Sequence, residues 1–128
     1  MISILHVDSS RQWGGGQNQV RLLMRELAGT DLRQLCICPQ GSPLAARLAA
    51  ESLPVRPVPW RMHLDPRALL AITIALGDCD VVHCHDAHAL QLALLPARAR
   101  RRALVASRRV RFKTSPLTWN RADRVIAI

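Results

Sequence analysis

Tyrosine is missing from this 128-residue chain, phenylalanine occurs once as Phe112, and tryptophan only three times. Recognition of single-stranded nucleic acid by stacking on exposed rings is therefore disfavoured. The core has to be aliphatic, built from Leu, Val, Ile and Ala. Lysine is nearly absent as well: Lys113 is the only one, and the formal net charge of +9 is carried by arginine. Arginine suits bidentate contact with phosphate or carboxylate. The excess alone fits a GC-rich genome or a surface near anionic lipid equally well.

Other absences narrow the class further. The cysteines, Cys36, Cys38, Cys79 and Cys84, form no C-x-x-C pair and sit in or beside apolar runs, as buried thiols in a reducing cytosol would. Met1 leads directly into a strand pattern without a basic segment or cleavage site, so no signal peptide is expected. The longest apolar run, Ala68 to Leu76, is too short to span a bilayer. There is no G-x-G-x-x-G loop, and the second strand runs into Pro39-Gln40-Gly41 without an acid to hold a ribose. No Gly-Lys-Ser/Thr follows the glycines either. A dinucleotide enzyme and a P-loop NTPase are both disfavoured.

What the chain does have is length for one domain with a real core, and 49% hydrophobic residues. Its elements alternate. Strands are expected at Ile2–Asp8, Arg33–Pro39, Leu53–Val58, Cys79–His85, Ala103–Ser107 and Arg124–Ile128. The prolines of the third place it near an edge. Val20, Leu23, Met24 and Leu27 give Gln17–Ala28 one apolar helical face. Ser42-Pro43 opens a helix to about Glu51, Asp65-Pro66 one to about Leu76, and Ser115-Pro116 a short piece before Asp123. Asp86 caps a helix over Ala87–Leu95. Strand runs such as Leu104-Val105-Ala106 are continuous rather than alternating, as in a sheet covered on both faces. The fold class is thus α/β: a doubly wound, mainly parallel sheet of about six strands in the order 3-2-1-4-5-6.

Ligands of such sheets sit outside the carboxyl ends of the strands, near the topological switch. Ser9, Ser10, Arg11 and the triplet Gly14-Gly15-Gly16 follow the first strand; His85, Asp86 and His88 follow the fourth; Ser107, Arg108, Arg109, Arg111 and Lys113 end or follow the fifth. All three groups converge on one rim. Glycines at a strand-to-helix turn let backbone N–H groups approach a phosphate, although a flexible turn without a ligand explains them equally well. His83 and His85 share a sheet face, with His83 the deeper and more core-like. A metal site at His83–His88 is disfavoured because the ligands are tightly local and lack a separated partner. Asp86 reads equally as an N-cap or as a group orienting His85. The run Arg98-Ala99-Arg100-Arg101-Arg102 falls on the opposite rim, as a solvated helix end or, less favoured, a contact with anionic lipid.

These pieces together resemble the N-terminal domain of a glycosyltransferase family 4 enzyme of the GT-B fold. The resemblance rests on I-L-H-V-D at 4–8 with W-G-G-G-Q-N-Q-V at 13–20 and P-Q-G-S-P-L at 39–44. It continues through D-V-V-H-C-H-D-A-H-A at 80–89, S-R-R-V at 107–110 and A-D-R-V-I-A-I at 122–128. It implies that residues 1–128 form a Rossmann-like, acceptor-side half of a two-domain enzyme. The enzyme would transfer a sugar from a nucleotide-sugar donor to a glycan or glycolipid acceptor, of cell-envelope polysaccharide or lipopolysaccharide type, with retention. Gly14, Gly15, Gly16 and Gln17 would meet the donor's phosphates, His85 and Asp86 the reacting centre, and Arg108 and Arg109 the acceptor pocket or an anionic group. The resemblance further implies no metal or other cofactor, no nucleic acid, and a cytoplasmic protein, peripheral on the inner face of the cytoplasmic membrane where it meets anionic lipid. Only Glu26 and Glu51 occur, and neither fits the family's glutamate-rich donor motif, so the donor-binding domain is absent from these residues and the chain alone is expected to be inactive. Two other readings stand beside this one. A stand-alone module could bind an anionic ligand without chemistry, and a basic nucleic-acid binder would lose affinity steeply with salt.

Overall fold

A computed structural model of the chain describes residues 1–108 and 121–127. Strands β1 (Ser3–Val7), β2 (Arg33–Pro39), β3 (Val55–Val58), β4 (Val81–Cys84), β5 (Ala103–Arg108) and β6 (Arg124–Ala127) form one sheet in the order β3-β2-β1-β4-β5-β6. Every neighbouring pair is parallel. Helices α1 (Gly15–Leu27), α2 (Pro43–Ala50), α3 (Pro66–Leu76) and α4 (Ala87–Ala99) link the strands. The expected strand order holds, with the proline-bearing β3 at the edge.

Both faces of the sheet are covered. Leu5, Val7, Ile37, Val82, Cys84, Leu104 and Ala106 meet Ile72, Leu76, Leu90 and Ala93 of α3 and α4. On the other face Cys36 and Cys38 meet Val20, Met24, Leu44 and Leu48 of α1 and α2. Each large aliphatic side chain buried in this way is worth about 1.5–3 kcal/mol. The four thiols are all buried and free, as expected.

Three caps read from the sequence are present. Ser42 accepts from Ala45 N, Asp65 from Arg67 N and Asp86 from Ala89 N. Most boundaries differ from expectation by one or two residues, as where β3 starts at Val55 rather than Leu53 and β4 spans Val81–Cys84 rather than Cys79–His85; two helix boundaries bear on the argument. The first helix starts at Gly15 rather than Gln17, so two of the three glycines are helical despite their poor propensity. The fourth helix runs through Pro96 to Ala99 instead of stopping at Leu95. Proline removes one backbone donor there, but Leu94 and Ala97 are buried on either side and carry the helix on. The expected helical piece after Ser115-Pro116 lies outside the described residues.

Candidate functional site

The strand order reverses between β1 and β4, and the carboxyl ends of those two strands carry the polar residues. Asp8 and His85 extend the strand pairing by one residue each: Asp8 N donates to Ile37 O (3.1 Å) and His85 N to Val7 O (2.9 Å). Asp86 then ties the two chain segments together. Its Oδ2 accepts from Ser9 N (2.7 Å), and its Oδ1 accepts from Ser9 Oγ (2.8 Å) and from Ala89 N (2.7 Å). It is an N-cap, and it also anchors the loop that leads to the glycines.

Asp8, at the end of the expected first strand, is 1% exposed. Its Oδ1 accepts from Ser10 N at 2.9 Å, and Gln17 Nε2 lies 3.4 Å from both carboxylate oxygens. Burial, and then the neighbouring Asp86 charge, push its carboxyl up to about 7. Gln17 therefore binds the inner wall of the loop. Gly14 is the N-cap of α1 with extended backbone, and no side chain caps the helix. A Cβ added at Gly15 would meet nothing within 4 Å, and one at Gly14 only Gln17 Oε1 at 3.4 Å. The space over these two glycines is open, at the positive end of a 13-residue helix. An anionic group fits there.

Beneath the rim lies a row of polar side chains on the α1 face of the sheet. His6 Nδ1 is 3.0 Å from His85 Nε2, and His6 Nε2 is 2.9 Å from Gln34 Oε1. Gln34 Nε2 donates to Met24 O at 3.0 Å. His83 Nε2 is 2.7 Å from Ser107 Oγ, and the His83 and His85 rings stack with centroids 3.9 Å apart. His83 is thus the hydrogen-bonded core histidine the sequence suggested. His85 is only 3% exposed, so it sits just under the rim rather than on it, because its ring lies along the sheet against His6. The partner that the local histidine cluster lacked is His6. Ring nitrogens of His6, His83 and His85 lie within 4.8 Å of one another, and by residue type these three could hold a borderline divalent cation.

Neighbouring loops close around the rim. Arg11 Nε donates to Trp60 O at 3.0 Å, tying the loop after β1 to the loop after β3. The His63 ring of that second loop lies against His88 at an interplanar angle of 49°, with centroids 3.4 Å apart, and burial followed by the neighbouring His63 lowers the His88 pKa. Arg47 lies over the Trp13 ring at 4.2 Å. Arg108 ends β5 at the same sheet edge, paired with Ala127. Arg109 lies outside the described residues, as do Arg111 and Lys113.

The arginines of the α4–β5 turn are at the other rim. Arg98, Arg101 and Arg102 line a cavity of about 380 Å³ with Leu104 and Asp123. Arg102 donates through Nε to Leu76 O (2.9 Å) and through Nη2 to Gly77 O (3.3 Å). It thereby complements the end of α3, the neighbouring helix, rather than the helix that precedes it.

The family model described as Glycosyltransferase Family 4 matches residues 13–128. No curated protein sequence matches the chain. Among solved structures, HepE of Anabaena in complex with UDP superposes with a TM-score of 0.74 at 18% identity, over 97% of this chain and 37% of that one. HepE with UDP-glucose gives 0.71 at 17%, over 84% and 29%. MurG of Acinetobacter baumannii gives 0.77 at 12%, over 99% and 41%. These identities show the fold alone, and the chain spans well under half the length of the structures it matches.

Proposed function

The chain belongs to glycosyltransferase family 4, and from that premise we propose that it is the acceptor-side half of a retaining glycosyltransferase. A nucleotide sugar is the donor and a glycan or glycolipid of the cell envelope the acceptor. One observation carries this reading. The open glycine loop at the head of α1, the Asp8–Asp86 carboxyl pair and His85 meet at the β1–β4 switch, where an open parallel sheet takes its ligands. HepE, solved with UDP-glucose, supports a nucleotide sugar as donor.

The chemistry divides between the parts of that rim. The head of α1 offers positive potential to a diphosphate, and the acceptor pocket, or an anionic group on donor or acceptor, is assigned to Arg108 and Arg109. His85 and Asp86 serve the reacting centre. Transfer needs a leaving diphosphate held by preorganised dipoles and a site closed to water. One domain supplies a rim, and a second domain has to supply the other wall and most of the donor contacts. The 128-residue chain alone is therefore expected to give no measurable transfer from a UDP-sugar, whereas a protein extended by a donor domain turns over. Turnover by the chain alone would refute the division of labour.

The protein works at the inner face of the cytoplasmic membrane. Among the described residues no helix is long and apolar enough to cross a bilayer. Peripheral contact is supported by α3, where Leu70 and Ile74 are about 60% exposed one turn apart, on the helix whose end holds Arg102. Co-sedimentation with vesicles rich in phosphatidylglycerol, but not with phosphatidylcholine vesicles, is the expected result. Equal recovery with both would remove the membrane from the account.

A further inference from the structure

The buried row beneath the rim fixes where protons sit. A backbone carbonyl accepts hydrogen bonds and cannot donate. Met24 O therefore orients the Gln34 amide, with Nε2 toward α1 at 3.0 Å and Oε1 toward His6 at 2.9 Å. That Oε1 also only accepts, so His6 Nε2 carries a hydrogen. Neutral imidazole carries one hydrogen, which leaves a lone pair on His6 Nδ1. A charged His6 could donate from both nitrogens, but its ring is fully buried and burying that charge is costly. The 3.0 Å contact between His6 Nδ1 and His85 Nε2 is then a hydrogen bond donated by His85.

We infer that Gln34 and His6 are positioning residues that lock His85 in its Nε2–H form, with the ring's lone pair on Nδ1. The chain of bonds begins at a helix backbone on one side of the sheet, crosses β2 and β1, and ends at the last residue before the α4 cap. Each link is set by the one before it, so the tautomer of a residue at the rim is dictated from within the core.

The inference rests on the reading of His85 as a site residue, whose ring hydrogen would then be set from within the core.

Long-range proton–nitrogen correlation spectra of the 15N-labelled chain at neutral pH report histidine tautomers directly. His6 and His85 are expected as Nε2–H forms. In Gln34→Leu the Nε2–H to Nδ1–H ratio of His85 should fall by about tenfold, the worth of one hydrogen bond. His85 found as Nδ1–H in the unaltered protein would overturn the inference, as would an unchanged ratio in folded Gln34→Leu. If that variant does not fold, the spectrum of the unaltered protein decides alone. Whether His85 serves transfer is a separate result, read from turnover of His85→Ala. The lock can thus fail while the site reading stands, and the reverse.

Discussion

Replacing His85 with alanine lowers kcat of the enzyme carrying both domains by about 10²–10³-fold, the usual loss for one preorganised polar group at a reacting centre. KM for the nucleotide sugar should change little, because the donor's phosphates are assigned to the head of α1 and to the second domain. The substitution also has a structural effect. It leaves His6 Nδ1 without the donor 3.0 Å away in a buried setting, a penalty of about 1–3 kcal/mol. Circular dichroism and a melting curve separate the two effects, since a loss of that size leaves most of the protein folded at 25 °C. Unchanged kcat in a folded His85→Ala enzyme would take His85 out of the site.

The second large effect concerns Asp8. Its carboxyl is pushed from an ordinary 3.8 up to about 7, by burial first and then by the Asp86 charge. Between those values the folded chain holds a proton that the unfolded chain has released. The contribution of Asp8 to stability is therefore most favourable below about pH 4, declines as pH rises toward 7 and levels off beyond it. Asn at position 8 keeps the oxygen that accepts from Ser10 and abolishes the titration. Asp8→Asn should flatten the decline and exceed the parent in stability above pH 7, by on the order of a few kcal/mol. Asp65 acts in the opposite sense and in a separate window. The Arg67 side chain and the Arg61 amide hold its carboxyl low, so its contribution is lost only as pH falls below about 4. Urea denaturation at pH 5 and pH 8 of both proteins is the measurement. Parallel profiles would show that Asp8 carries no such charge penalty.

The outline of the fold was legible because its signals are local. Ser42-Pro43, Asp65-Pro66 and Asp86 each announce a helix start within a few residues, and the continuous apolar runs announce a sheet covered on both faces. Boundaries were missed where packing overrides a local rule: α4 passes Pro96 because Leu94 and Ala97 are buried. The polar row was missed for a different reason. His83, His85 and Asp86 are neighbours in sequence and drew notice, whereas His6 and Gln34 lie on other strands and join them only through sheet register. His6 pairs with His83 across β1 and β4, and Gln34 reaches it from β2. The available hint was the alternation of His6 and Asp8 in an otherwise apolar strand, which puts both polar side chains on one face. In the same way, no local pattern brings His63 onto His88.

The central claim is that, of this chain's surfaces, the edge at the β1–β4 switch is the one that meets the donor. Titration of the 15N-labelled chain with millimolar UDP-glucose, followed by amide shifts, tests it most directly. The account predicts weak, saturable shifts confined to the amides of Gly14–Gln17 and His85–His88. Shifts at the Arg98–Arg102 turn instead, or none anywhere, would contradict it.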